Sequence, residues 1–566
     1  MTRLLVADSL NSASRLARAN INQGTLRHSR GRAGSGRHPP PPREMWCSET
    51  LRRPLALLRR SPRELWLVYA LKILDSYGYF ALSEVFTTLL TSEFGVSDVR
   101  AGAYYGAWGT AIVLYGVLTG FLVDYLGVRT SLVCSYALQT LSRLVIAFTR
   151  DRASLFAVVF LLHPLASAWG APVMTIAIKR LTSAADRTVS FGIFYAMMNV
   201  AALLSGVAID ALRLGLPRGL VGPDGNPDDA MASPVRVVVA STIVTSLLAA
   251  FVAARFRELP PPRDTHHPDA DVPSSSTSSL RSLAAASAGL WRERRFRQFL
   301  AMALFTLNLK QIFRHMDATF PKYAVRAFGC SAPFGTIYAI NPALIIVGVP
   351  VVAAATAGRR HFDVIFRGAW ITAAAPFIVA ASQTYAGAVA FVVVLSLGEM
   401  LWSPRWYDYT MAMAPAGKEG VFGAMALAPL FAAKLPTGVL GGYLLQRYCP
   451  GAPGPGGDCP AGGGVGVSVV GEGDGARACD GRSMWGIIGA VTLTSPLLIA
   501  AFHPWLRDSG DEVDEAGAGD GRAGGGGKGG AAGRYTNLDR EGEFDEDDPE
   551  LELMPLEPTP IGSRRS

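Results

Sequence analysis

Apolar runs separated by short basic, Gly- or Pro-containing turns recur from about residue 65 to about residue 506. A helix rises about 1.5 Å per residue, so about 20 apolar residues cross a hydrocarbon layer of about 30 Å. Twelve runs qualify: 65–91, 101–123, 129–149, 153–179, 187–212, 235–256, 297–325, 333–357, 364–383, 386–412, 418–446 and 483–506. They are rich in Ala, Leu and Gly and do not alternate with period two, which argues against barrel strands. The pattern predicts an all-α membrane protein with twelve transmembrane helices.

The polar segments divide the chain. Residues 1–64 form a basic leader, 65–256 hold six runs, and 257–296 form a Pro- and Ser-rich linker. Residues 297–506 hold six more runs, and 507–566 are Gly-rich, then acidic. Leader and tail have the composition of disordered, solvated segments. "FGVSDVRAGAY" (94–104) and "FGCSAPFGTIY" (328–338) share Phe, Gly, Ser and Tyr at one offset from the first and seventh runs. This weak repeat predicts two pseudo-symmetric six-helix bundles, an architecture of many secondary transporters.

Composition supports the membrane reading, with half the residues hydrophobic, 17% charged and a mean hydropathy of +0.26. The net charge of +8 arises largely from the leader, which has thirteen Arg against four acidic residues. A solvated arm near anionic headgroups accounts for it, and no nucleic acid partner is expected. Two readings of the leader stand, a disordered cytosolic arm and an organelle transit peptide. The location is accordingly plasma membrane or endomembrane in the first case and a plastid or mitochondrial membrane in the second. Basic turns at 128–130, 178–181, 292–297 and 358–360 place both termini in the cytosol, although the outer turn "TRDRA" also carries two Arg. Of six cysteines, Cys449, Cys459 and Cys479 share one outer loop, so one disulfide and one leftover thiol are expected there. No zinc spacing, phosphate loop, HExxH or GxSxG occurs, so neither an enzyme nor a metal or cofactor site is expected. In the tail, "YTNL" (535–538) has the form that endocytic adaptors read, a form common by chance.

Within the seventh run, "NLKQIFRHMD" (308–317) places Lys310, Arg314 and Asp317 at i, i+4 and i+7, on one helical stripe. Facing lipid, each charge would cost several kcal/mol, so the stripe faces the bundle interior or water. Either a transport cavity or a structural ion network satisfies this. Lys72 and Asp75, with Tyr79 on the same face, suit a local ion pair or a proton site. Glu84 is expected at the outer rim, and Arg143 as a packing or rim residue. Arg405 and Asp408 are expected to pair near the cytosolic end. Lys434, beside Pro436, is open to substrate binding or to satisfying carbonyls freed by the proline. Asn199 is open to a helix–helix hydrogen bond or a ligand contact.

"GFLVDYLGVRTSL" (120–132) resembles the loop signature of the major facilitator superfamily through Gly120, Leu122, Asp124, Gly127 and Arg129. It departs at Tyr125 and Val128, where basic residues are usual. The resemblance implies that Asp124 latches onto the positive start of the eleventh helix, and that helices one, four, seven and ten line the cavity. "SYGYF" (76–80), "FYAMMNVAALLSG" (194–206) and "GEMLWSP" (398–404) resemble, more weakly, the proton-dependent oligopeptide transporters within it. That family's ExxER is missing, its positions holding Tyr69, Lys72 and Ile73, so its mode of proton coupling is not implied. Glu399 stands where the family keeps a glutamate that receives the substrate amine. The Gly-Pro signature of drug/proton antiporters is also missing from the fifth run.

The expected function is secondary active or facilitative transport of a small polar or charged organic solute by alternating access, with a co-transported proton left open. The cations favour a carboxylate-bearing solute: an amino acid, peptide or organic anion. Candidate binding residues are Lys310, Arg314, Asp317, Glu399, Lys434, Tyr79 and Asn199. Candidate coupling or gating residues are Asp75, Gly120, Asp124, Gly127 and Arg129. The alternative is a membrane receptor or scaffold that keeps the fold without transport.

Overall fold

The computed structural model describes residues 59–119, 126–216, 233–258, 294–356, 359–413, 429, 432–451 and 479–506. Every regular element among them is a helix. The first six are α1 (Arg63–Phe94), α2 (Asp98–Thr119), α3 (Val128–Phe148), α4 (Arg152–Leu181), α5 (Ala184–Gly215) and α6 (Pro234–Ala254). The seventh run is broken into α7 (Arg294–Phe305), α8 (Leu307–Ala318) and α9 (Phe320–Phe328). Then come α10 (Phe334–Ala355), α11 (His361–Ala381), α12 (Tyr385–Met413), α13 (Lys434–Tyr448) and α14 (Gly481–Ala501). Eight helices, α3 to α6, α10 to α12 and α14, are long and apolar enough to cross a membrane. The predicted first, second and seventh spans overlap α1, α2 and α7 to α9, and the predicted eleventh overlaps α13 from 434 onward, its earlier part lying largely outside the described residues; these helices are not among the eight.

Local chemistry sets the ends. α1 stops at Gly95, whose φ of 60° is left-handed and whose N–H reaches back to the Leu90 carbonyl. Ser183 and Ser233 cap α5 and α6 by accepting from the backbone N–H three residues on. Pro321, in the first turn of α9, has no N–H to continue the helix through Thr319. α4 contains a π turn over Val158–Leu162, directly before His163.

α1 packs on α5 and α6, α3 on α4 and α6, and α2 on α4. Later in the chain α11 packs on α12 and α14, α10 on α12, and α8 on α13 and α14. The two sets meet along α2 with α13, α5 with α10, and α1 with α8. Glycine permits the closest approaches. A Cβ on Gly102 would lie 2.0 Å from the Gly438 carbonyl oxygen, and one on Gly335 would lie 2.3 Å from that of Gly206. Both contacts lie toward the end where α1 turns into α2, the end predicted to be non-cytosolic. There Cys449 and Cys479 form the loop disulfide, joining the end of α13 to the start of α14. Cys330 is disulfide-bonded as well. Cys459, Gly120, Asp124 and the "YTNL" segment lie outside the described residues.

Candidate functional site

α8 buries Leu309, Ile312 and Met316 in apolar clusters and carries Lys310, Arg314 and Asp317 on another face, also buried. Arg314 donates to Asp317 Oδ2 at 2.8 Å and to the Tyr79 hydroxyl of α1 at 3.1 Å. The same Asp317 oxygen accepts from Ser83 of α1 at 3.3 Å and Tyr105 of α2 at 3.2 Å. One ion pair on α8 thus ties three helices together. It is incompletely satisfied, since Asp317 Oδ1 and Arg314 Nε have no hydrogen-bond partner among the described residues. One turn along, the Lys310 ammonium lies 5.5 Å from the ring centroids of both Trp402 and Trp406 of α12. Glu399, half-buried on α12, is within electrostatic reach of Lys310 and Arg314. Its Oε2 accepts at 2.8 Å from Asn341 of α10, which also donates to Ser396 at 3.0 Å.

Lys434 opens α13 and is fully buried, with no hydrogen-bond partner for its ammonium among the described residues. It does not cap carbonyls near Pro436. Instead the ammonium lies 3.8 Å from the ring centroid of Trp108, 4.6 Å from Tyr105 and 4.7 Å from Tyr79. Gly109 makes room, because a Cβ there would lie 2.5 Å from Lys434 Cδ. Trp108 donates its indole N–H to His163 Nδ1 at 3.1 Å, so a neutral His163 carries its proton on Nε2. Tyr105, Trp108 and His163 escaped the reading of the sequence. The π turn before His163 is a local irregularity of the kind found at functional sites, but it has no sequence signature.

The other candidates fall in several places, some of them unexpected. Asp75 and Lys72 form no ion pair: Asp75 accepts from Gln139 at 3.2 Å, and Lys72 lies over the Phe194 ring at 4.7 Å. Asn199 makes no helix–helix bond among the described residues, donating to the Tyr195 carbonyl of its own helix at 3.0 Å. Glu84 is not a rim residue but 0% exposed. Arg143 is buried among α1, α3 and α6, donating to the Thr242 carbonyl at 3.1 Å and to Gln139 Oε1 at 2.9 Å. Arg405 donates to Thr356, at the end of α10, while the side chain of Asp408, its expected partner, lies outside the described residues. Gly127, at φ 78°, precedes Val128 and Arg129, whose N–H groups donate to Glu258 at 2.7 and 3.0 Å. Arg129 also reaches the Ala254 carbonyl, so this part of the loop ties α3 to the end of α6.

The α1–α2 end is closed by polar contacts between the two sets. Asp98 of α2 pairs with Lys322 and, at 2.8 Å, with Arg326 of α9, which also donates to the Cys449 carbonyl. Arg213 of α5 holds the carbonyls of Cys330 and Ala332, and Asp210 accepts the Thr336 N–H at 2.6 Å. Thr87 donates to the Ala318 carbonyl at 2.9 Å.

The family model described as Major Facilitator Superfamily matches residues 65–433. No curated protein matches the chain in sequence. Among solved structures, a POT family transporter in complex with 5-aminolevulinic acid is 12% identical with a TM-score of 0.59, covering 79% of this chain and 97% of that one. A POT family transporter in complex with a thioalcohol-conjugated peptide is 12% identical with a TM-score of 0.60 and the same coverage. A structure described under substrate recognition in proton dependent oligopeptide transporters is 13% identical with a TM-score of 0.58, covering 79% of this chain and 99% of the other. At such identities the likeness concerns the fold.

Proposed function

Because the chain belongs to the Major Facilitator Superfamily, we propose that this membrane transporter moves a small, carboxylate-bearing organic solute by alternating access, with the solute bound between α1, α8, α10 and α12. The reading includes twelve crossings in two six-helix bundles, residues 65–256 and 297–506, with a cytosolic linker at 257–296. The leader at 1–64 and the tail at 507–566 are proposed as cytosolic arms.

The observation that carries it is Arg314, a buried guanidinium shared between Asp317 and Tyr79 where the two sets of helices meet. A planar guanidinium grips a carboxylate through two parallel hydrogen bonds, and exchanging Asp317 for a solute carboxylate keeps the charge paired throughout. Lys310, held over two indoles rather than against a carboxylate, adds positive charge on the same face. Glu399, steadied by Asn341, is the acceptor for an amine at the other end of the solute. 5-Aminolevulinic acid, the ligand named for one structural neighbour, carries both groups. Lys434 and Tyr79 act in this scheme at the contact between the sets.

Flux of amino acids, short peptides and organic anions into reconstituted vesicles tests the reading, and an imposed pH gradient reports whether a proton accompanies the solute. Arg314→Lys is expected to reduce uptake at least tenfold while the protein remains folded. Arg314→Ala with Asp317→Asn restores charge balance and is expected to recover folding but not uptake. Recovered uptake in that double variant would make the pair structural and sink the assignment.

A further inference from the structure

Glu84 lies in an unbroken buried stretch of α1, Phe80 to Thr87. Its side chain is 0% exposed, and neither carboxyl oxygen has a hydrogen-bond partner among the described residues. The hydroxyls nearest along its own helix are committed elsewhere, Ser83 to Asp317 and Thr87 to the Ala318 carbonyl. An ionised carboxylate in such a place has neither donor nor counter-charge, and the desolvation of an isolated charge exceeds what a fold can absorb, so the group is held neutral.

The elements packed against α1 contribute the following groups. α5 brings Asp210, engaged by Arg213 and the Thr336 N–H; α8 brings Asp317, engaged by Arg314, Ser83 and Tyr105. Tyr338 of α10 is also near. α9 brings Lys322, bound to Asp98; α6 brings Arg236, bound to Glu93; and α4 brings His163, bonded to Trp108. The charged groups that act most on Glu84 are Asp317 and Asp210, both of its own sign; Arg314, Arg213, Lys322 and Arg236 each have a carboxylate of their own, and Lys434 of α13 is held over the rings of Tyr79, Tyr105 and Trp108.

We propose that Glu84 is a proton-binding site, and that its proton is the condition for closing the α1–α2 end of the transporter. The proposal rests on the alternating-access reading, in which α1 and α2 part from α8 to α10 and α13. Parting admits water to Glu84, and a hydrated carboxyl can release its proton. Returning to the conformation described here requires recapture of one proton. The site lies beyond Tyr69, Lys72 and Ile73, the positions of the resembling family's ExxER cluster, and it requires no proton passage to the opposite side. Because the closed form holds one proton more than the open form, its population relative to the open form falls as pH rises, by up to about tenfold per unit.

Distances between spin labels on non-canonical residues at Ala153 and Ala386 test this in the full-length protein in lipid nanodiscs. Both positions are exposed and flank the turns at the closing end, one in each set of helices. Raising the pH from about 5 to about 8 is expected to move the unmodified chain from a short to a long distance. Glu84→Gln is expected to stay short throughout. Glu84→Met, apolar and of similar length, is expected to do the same and to unfold no earlier than the unmodified chain. A pH-independent distance in the unmodified chain, or an unaltered pH response in either variant, would overturn the proposal. The labels report opening rather than flux, so a failed solute assignment leaves this result interpretable.

Discussion

Arg143 and Lys434 are both buried cations, and they are held in opposite ways. Arg143 lies wholly within the first set of helices, with both terminal nitrogens bonded, one to the Thr242 carbonyl and one to Gln139, which links it to Asp75. Gly78 of "SYGYF" is part of that arrangement, because a Cβ there would lie 2.5 Å from the guanidinium. Lys434 comes from the later set, crosses to α1 and α2, and finds three aromatic faces and no acceptor among the described residues. The first arrangement is closed on itself and survives any motion between the sets. The second exists only while the sets are in contact. A desolvated cation over a ring is held by about 2 kcal/mol, whereas stripping the partners from a buried guanidinium costs about 3–5 kcal/mol. Of these two cations, the one that crosses between the sets is fastened weakly and the one inside a set is fastened strongly.

The sharpest way to break this contrast is to remove Arg143. Arg143→Met leaves Asp75 without its cationic neighbour and Gln139 and the Thr242 carbonyl without a donor, so a loss of about 3–5 kcal/mol in stability is expected. Gly78→Ala should destabilise by the same route, through displacement of the guanidinium. Thermal unfolding of purified protein in lipid nanodiscs measures both. If either variant unfolds at the temperature of the unmodified chain, Arg143 is not the internal tie described here.

Lys434→Met should behave differently. An apolar chain of similar length in an aromatic box is neutral or favourable for the fold, since a buried charge is replaced by packing. The loss appears in the equilibrium between conformations: about 1–2 kcal/mol of cation–π attraction is worth about a 5- to 30-fold shift toward the open form. The label pair at Ala153 and Ala386 reads that shift, and vesicle uptake should fall with it. Loss of folded protein with Lys434→Met would erase the distinction between the two cations.

The sequence made part of this visible and hid the rest for physical reasons. Apolar runs mark the helices because each must cover a hydrocarbon layer, so the predicted 129–149 and 235–256 lie within two residues of Val128–Phe148 and Pro234–Ala254. The breaks at Thr306 and Thr319 went unpredicted although Pro321 stood in view, because a run that satisfies a membrane-length criterion masks interruptions inside it. Lys310, Arg314 and Asp317 were legible as a stripe, since their relation is local to one helix. The aromatic box was not, because Lys434 and its rings are separated by more than three hundred residues and meet through the packing of α13 against α2 and α1. Glu84 was misplaced for a related reason. α1 is apolar nearly all round, so periodicity along it cannot distinguish a rim from a face covered by α5, α8 and α10.

The smallest expected effect belongs to Asn199, on the fifth helix and 7% exposed, whose amide bonds the Tyr195 carbonyl one turn back. Asn199→Ala removes that bond, worth about 0.5–1.5 kcal/mol, from a carbonyl that the helical backbone N–H still serves. It also replaces a middling helix former with the best one, a gain of up to about 0.7 kcal/mol. The two nearly cancel, so the unfolding temperature and vesicle uptake should both change little. Asn199 then joins Arg143 as a group bonded only within its own set of helices among the described residues, though at much lower stakes. Uptake that falls tenfold or more at unchanged stability would place Asn199 against the solute instead, and would move the wall of the binding chamber from α1 to α5.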